Sequence, residues 1–353
     1  MLQQLSLFDN IETTPVFPST RYQGSKSKYV DWIEYCLKDI PFKSVLDAFG
    51  GTGSVAYKFK QQGKSVTYND ILPFNAIIGK ALIENKEYRL DDWEVDYILS
   101  KQDKKYSTFL EDTFRDIYYT DEENRWLDMV SANIRAMENP YKQAVAYFAL
   151  FQSCIIKRPY NLFHRKNLYV RTNDVERSFG NKKTWDTPFD VHFRHFVQEA
   201  NNAIFDNGQS CLSMNQDASI IKDSYDLVYI DTPYISDAGV GVDYADFYHF
   251  LNGLVYYEQW GDLIDYRSKH LRLKRNPSVW TDANTITSAF QSLFKNFPNS
   301  ILAISYRNNG IPSIEELVDM LKNMGRDVHV EYSSTMRYAL SKRTSNEVLI
   351  VAK

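Results

Sequence analysis

Little in this chain points to a membrane, a metal or a disulfide framework. No apolar stretch is long enough to cross a bilayer, and the N-terminus has neither the basic nor the apolar region of a signal peptide. Cysteine is scarce. Cys36, Cys154 and Cys211 stand far apart without the paired spacing of a metal site, so a reducing cytoplasm is the expected compartment. His192 and His195 have a spacing that a metal could use, but no third ligand accompanies them, and they read as ordinary side chains. Internal repeats and a P-loop are both missing. Lys and Arg number 41 against 45 Asp and Glu, for a net charge of −4. That balance argues against indiscriminate coating of nucleic acid and leaves room for one basic face. What is present suits a globular protein: 353 residues, 44% hydrophobic and 24% charged, enough for one α/β domain with a large insertion or two lobes. Aromatic residues are abundant, with 25 Tyr and 21 Phe, and most of them are expected in the core.

Three segments carry chemistry. Tyr225-Asp226-Leu227-Val228-Tyr229-Ile230 is an apolar run that ends in Asp231-Thr232-Pro233-Tyr234. A buried parallel strand delivers a carboxylate and an aromatic ring to the open end of an α/β sheet in this way. Such a pair can accept hydrogen bonds from an exocyclic amine while the ring stacks on its heterocycle. Ser44 to Ala56 places a short strand before the turn Asp47-Ala48-Phe49-Gly50-Gly51-Thr52-Gly53, with a helical pattern over Val55 to Gln62. Gly51 and Gly53 allow close backbone approach to a ligand. Ser65 to Asp70 is a second strand ending in an acid, near the distance at which such folds hold ribose hydroxyls. The glycine spacing is not that of a dinucleotide site. A nucleoside-bearing cofactor without an obligatory pyrophosphate fits better, with S-adenosylmethionine the leading candidate.

With these motifs in this order, the chain resembles the Dam-like adenine-N6 DNA methyltransferases. Arg21-Tyr22-Gln23-Gly24-Ser25-Lys26 is similar to that family's N-terminal cofactor motif, Asp47 to Gly53 to its glycine motif, and Asp231 to Tyr234 to its catalytic motif. Leu340 to Ile350 is similar to its closing hairpin and strand. The family's tetrapeptide usually has two prolines, and Thr232 stands where the first would be. The resemblance implies an α/β fold, a Rossmann-like doubly wound sheet with an inserted, mainly helical target-recognition lobe. It implies a flexible tail over 1–19, a catalytic domain over 20–84 and 191–353, and a target-recognition domain over 85–190. The catalytic set is Asp231, Thr232, Pro233 and Tyr234. The S-adenosylmethionine set is Tyr22, Gly24, Lys26, Asp47, Phe49, Gly51, Gly53, Asp70, Asp217 and Asp231, with no metal. Asp217 is open to a plainer reading as a turn aspartate. Cytosine-N4 or RNA adenine methylation, and a non-catalytic DNA-binding subunit, remain alternatives.

The partner implied is double-stranded DNA. Lys157-Arg158-Pro159-Tyr160-Asn161-Leu162-Phe163-His164-Arg165-Lys166-Asn167 interleaves bases, aromatics and asparagines without an acid. Arg and Asn read base edges bidentately, so Lys157, Arg158, Asn161, Arg165 and Lys166 are the expected DNA contacts, with Arg158 and Lys166 on phosphates. Arg267 to Arg275 is a second basic run. In the tail, Gln4-Leu5-Ser6-Leu7-Phe8 resembles the peptide with which bacterial replication and repair proteins grip the sliding clamp. Helices are expected over Trp93–Leu110, Glu122–Ala136, Tyr141–Ile155, Phe193–Phe205 and Ile314–Asn323, with a loop over Asn173–Pro188. Later strands are expected at Ser300–Tyr306, Val328–Tyr332 and Glu347–Ala352. A mobile flap is expected after Tyr234, around Gly239 to Gly241.

Overall fold

A computed structural model describes residues 15–173, 182–222, 224–333 and 347–353. The clamp-like peptide Gln4–Phe8 and the stretch from Leu340 to Asn346 lie outside these residues. Seven strands form one sheet: β1 (Ser44–Asp47), β2 (Ser65–Asn69), β3 (Leu212–Met214), β4 (Leu227–Ile230), β5 (Ile301–Arg307), β6 (Val328–Tyr332) and β7 (Glu347–Ala352). Their order is β3-β2-β1-β4-β5-β7-β6. β7 runs antiparallel between β5 and β6, and the other neighbours are parallel. Helices cover both faces, so β4 and β7 are buried along their whole length and read as unbroken apolar runs.

One face of the sheet packs on a large core that includes the helices Ser54–Gln61, Pro73–Gly79, Pro140–Ile156 and Phe189–Ala203. The other packs on Ile286–Asn296 and Ile314–Asn323. The insertion after β2 is helical, as expected, and its long helix Pro140–Ile156 starts with Asn139 capping the amides of Tyr141 and Lys142. Its partner Asp121–Arg135 opens with a capping box between Thr120 and Glu123.

The expected helix over Trp93–Leu110 is two pieces, Asp92–Leu99 and Phe109–Thr113. The break has a tertiary cause: the Asn133 amide donates to the carbonyls of Ile98 (2.9 Å) and Ser100 (3.0 Å), satisfying a helix end. Within the expected loop, Lys182–Asp186 forms a helical turn that buries Trp185. The short edge strand β3 and the helix Ile286–Asn296 were not anticipated. The helix nonetheless buries Ile286, Ala289, Phe290, Leu293 and Phe294 at helical spacing.

Candidate active site

The strand order reverses between β1 and β4, which leave the sheet side by side. Asp47 lies opposite Tyr229, and the Ala48 amide donates to the Tyr229 carbonyl at 3.0 Å. Crevices at the carboxyl ends of strands open at such a switch point. The glycine turn and the Asp231 tetrapeptide therefore share one cleft.

The glycine turn is built for close approach. Gly51 and Gly53 have left-handed φ values of +52° and +80°, and a Cβ added to Gly51 would project toward the Tyr22 ring with no atom nearer than 3.9 Å. Asp70 braces the turn from β2, accepting from the amides of Gly51 (2.9 Å) and Leu72 (2.8 Å) and from Asn75 Nδ2 (3.1 Å). Burial pushes the Asp70 carboxyl up to about 6 despite these bonds. Asp47 is 1% exposed, and its Oδ1 has no hydrogen-bond partner among the described residues. Burial, then Asp231 and Asp70, hold its carboxyl well above the usual range. An orphaned buried oxygen beside an open glycine cradle suits a ligand with polar hydrogens to donate, and the nucleoside end of S-adenosylmethionine has them.

Tyr22 leads an aromatic stack, with its ring 4.4 Å from Tyr248 and 5.5 Å from Tyr244 in near-parallel planes. Gly24 makes room for it: a Cβ there would lie 2.2 Å from the Tyr244 hydroxyl. Phe49 meets Trp280 edge-on at 4.9 Å. Asp217 lies on the loop before β4, next to Gln216, whose carbonyl shares the Asn69 side-chain amide with the carbonyl of Ala48 at the end of β1. Its Oδ1 accepts from the Ser219 amide at 2.9 Å and caps the turn Ala218–Ile220, the plainer of its two readings. Asn69 ties that segment down by exchanging bonds with the Gln216 backbone, both at 3.1 Å.

At the end of β4, Asp231 Oδ1 accepts from Lys26 Nζ at 2.7 Å and lies 3.1 Å from the Tyr234 hydroxyl. Lys26 is buried and also reaches Glu347 Oε1 at 3.3 Å, to which Tyr234 presents its hydroxyl at 2.7 Å. Burial alone would lower the Lys26 ammonium, but Asp231 and Glu347 outweigh it and hold it above its ordinary value. Burial raises the Asp231 carboxyl to about 6, with Lys26 opposing and Glu347 adding to the rise. Tyr234 is half-buried rather than an exposed platform, and its ring meets Tyr306 edge-on. The Thr232 side chain is buried, its hydroxyl without a partner among the described residues, and Pro233 is half-buried. Glu347, Ser305, Trp280, Tyr244 and Tyr248 were missed from sequence. A lone acid opening the otherwise apolar β7 was the signal for Glu347.

The basic loop after Pro140–Ile156 requires a correction. Lys157 and Arg158 are 2% and 1% exposed and cannot meet DNA as placed. Lys157 Nζ pairs with Glu123 at 2.9 Å and donates to the carbonyls of Trp185 and Thr187. Arg158 donates to the carbonyls of Tyr118 (3.0 Å), Arg165 (3.2 Å) and Leu162 (3.3 Å) and to Asn167 Oδ1. A cation in a basic run normally stays in water. Here the loop folds around it. Arg165 and Lys166 are exposed, Asn161 is half-exposed, and Tyr160 and Asn161 take left-handed φ values of 63° and 58°. The loop is joined to the segment beyond the Asp231–Tyr234 tetrapeptide, because the Phe163 amide donates to the Phe247 carbonyl at 2.9 Å.

The model of a family described as D12 class N6 adenine-specific DNA methyltransferase matches residues 22–308. The chain is 32% identical over 324 residues to the type II methyltransferase M2.HphI of Haemophilus parahaemolyticus, covering 90% of this chain and 91% of that protein. It is 23% identical to the type II methyltransferase M.NlaIII of Neisseria lactamica, covering 86% and 88%. It is 25% identical to the modification methylase LlaI of Lactococcus lactis subsp. lactis, matching 51% of that longer protein. A match that runs from the Tyr22 motif, through the glycine turn and tetrapeptide, to Asn308 leaves one assignment: the chain belongs to the D12 class of N6 adenine-specific DNA methyltransferases.

Proposed function

We propose that this adenine-N6 methyltransferase acts on an adenine turned out of duplex DNA, takes its methyl group from S-adenosylmethionine, and serves a restriction–modification or DNA-marking system. The observation that supports this best is the meeting of Asp231 with the Gly51–Gly53 cradle on neighbouring strand ends. The amine of adenine is a poor nucleophile because its lone pair is delocalised into the ring, and in a duplex the base is stacked away from any cleft. Asp231 and the backbone carbonyl of Thr232 or Pro233 accept the amine hydrogens, which favours a tetrahedral nitrogen. Tyr234 flanks the base. When bound, S-adenosylmethionine supplies an electrophilic methyl on its sulfonium. The amine lone pair would take that methyl while the sulfur keeps the electrons of its broken bond, and Asp231 would take the surplus amine proton. No cysteine adjoins the tetrapeptide to serve a covalent route.

On this reading Asp70 holds the ribose, Asp47 takes a ligand donor, Tyr22 and Phe49 wall the cleft, and Gly24 and Lys26 shape its floor. Asn161 and Arg165 read bases and Lys166 anchors the backbone, on a loop that Arg158 holds from inside. A sliding-clamp contact rests solely on the resemblance of Gln4–Phe8.

The test is Asp231→Ala with labelled cofactor on adenine-containing duplex, cytosine-only duplex and RNA. Transfer to the adenine duplex is expected for the parent and its loss in the variant, with the fold intact. Parental turnover in Asp231→Ala removes the catalytic assignment, and transfer confined to cytosine or RNA removes the substrate.

A further inference from the structure

Asp231 faces a conflict in the cleft. The adenine amine needs its carboxylate as an acceptor, yet Oδ1 already holds a buried ammonium at 2.7 Å and has the Tyr234 hydroxyl at 3.1 Å. A neutral amine displaces an ammonium from a buried carboxylate only where the ammonium has another anion to go to, because an unpaired buried charge costs several kcal/mol. Glu347 is such an anion. It opens β7 at 0% exposure, and its Oε1 lies 3.3 Å from Lys26 Nζ and 2.7 Å from the Tyr234 hydroxyl. The same two donors therefore sit between both carboxylates. Glu347 is fixed where it stands: Ser305 Oγ donates to its Oε1 at 2.7 Å, and its backbone exchanges hydrogen bonds with Ser333 on the edge strand side.

We propose that Glu347 is a positioning residue that receives the Lys26 ammonium, and keeps the Tyr234 hydroxyl it holds at 2.7 Å, as the adenine amine docks on Asp231. The ion pair shifts from the catalytic acid to Glu347, so the acceptor is released without stranding a charge. With Asp231 taken by the amine, the Tyr234 hydroxyl bonds Glu347 alone, which fixes the tilt of the ring beside the base. No covalent bond changes in this exchange. Glu347 touches neither the base nor the methyl donor, and its effect passes through Lys26 and Tyr234. The inference rests on Asp231 as the amine's acceptor.

Glu347→Gln keeps the shape and the acceptor for Ser305 and Tyr234 but removes the anion. The expected result is a kcat lowered roughly 10–100-fold with cofactor affinity and DNA affinity within about twofold of the parent. The acid limb of kcat should move to lower pH, since Asp231, faced also by Lys26, Tyr234, Tyr229 and Asp47, loses a negative neighbour. Parental kcat overturns the proposal. So does a lowered kcat with an unmoved limb, or an equal loss of cofactor binding, the mark of a merely structural role. Ser305→Ala covers failure of Glu347→Gln to fold: it leaves the anion but loosens it, and a loss of roughly 2–5-fold in kcat alone is expected. Parental kcat there overturns the proposal too. Asp231→Ala, run alongside, separates the cases: parental turnover in that variant defeats the acceptor assignment itself.

Discussion

Arg158 is the residue whose removal should divide structure from recognition most sharply. It is buried among four acceptors, the carbonyls of Tyr118, Leu162 and Arg165 and the Asn167 side chain, with its guanidinium 4.4 Å from the Tyr118 ring centre. Arg158→Met fills similar length but donates nothing. If two of the four acceptors stay buried and unpaired at about 1–3 kcal/mol each, and the ring contact adds about 1, the loss is roughly 3–7 kcal/mol. Relief of a desolvated cation, whose burial has pulled it down to about 10, favours the lower end. Unfolding entropy of about 2.1 cal/mol/K per residue gives roughly 0.7 kcal/mol/K for this chain, so Tm should fall by about 4 °C. The loop would relax as well, because left-handed Tyr160 and Asn161 cost about 1–3 kcal/mol each and Arg158 holds the carbonyls around them. DNA affinity should therefore drop on every sequence, with cofactor affinity unchanged. A thermal scan and fluorescence anisotropy across a salt series measure both. A phosphate anchor would behave differently. An unchanged Tm with a salt slope reduced by about one would restore Arg158 to the DNA face and refute the argument from burial.

Two further outcomes follow from the cleft. Thr232→Val removes a buried hydroxyl that lacks a partner among the described residues, so Tm should rise by about 1–2 °C with kcat within about threefold of the parent; a lower Tm in calorimetry would mean the hydroxyl is bonded. Asp231 and Asp70 both stand near 6, above their ordinary 3.8, and on the proposed reading both work as anions, so kcat/KM should rise with pH through about 6 and fall below it. Asp70→Asn should leave one titration in that limb, and a parental profile flat down to about pH 5 would contradict both ionisations.

Much of the cleft was legible because its parts are local. Strand, acid and turn follow one another at Asp47 and again at Asp231, and glycine at 51 and 53 announces a backbone that no side chain permits. Other features depend on distant partners. Glu347 reaches Tyr234 across 113 positions, and no window around either residue shows it. The helix beginning at Asp92 stops because Asn133 satisfies its last carbonyls. A periodic pattern carries no such information. Arg158 misled for the opposite reason: its neighbours in sequence are basic and polar, and only the folding of the loop back onto Tyr118 takes it out of water. Strand β3, three residues with an exposed Leu212, owes its existence to pairing with β2 rather than to its own composition.

The hydrogen bond from Phe163 to Phe247 bears on how new specificities arise in such enzymes. Recognition loops invite exchange between relatives, since altering them changes the target without touching the chemistry. Here the loop and the chain segment carrying Tyr244 share a backbone bond, and Tyr244 in turn lies on Tyr22. A transplanted loop must therefore bring a donor to the Phe247 carbonyl and a buried cation like Arg158, or it will disturb the stack of Tyr244 on Tyr22, the proposed cofactor wall. On the proposed reading of residues 157–171 as the recognition segment, target preference is inherited as a packed unit with its internal clamp, and drift at half-exposed Asn161 and exposed Arg165 and Lys166 is the route that leaves the catalyst undisturbed.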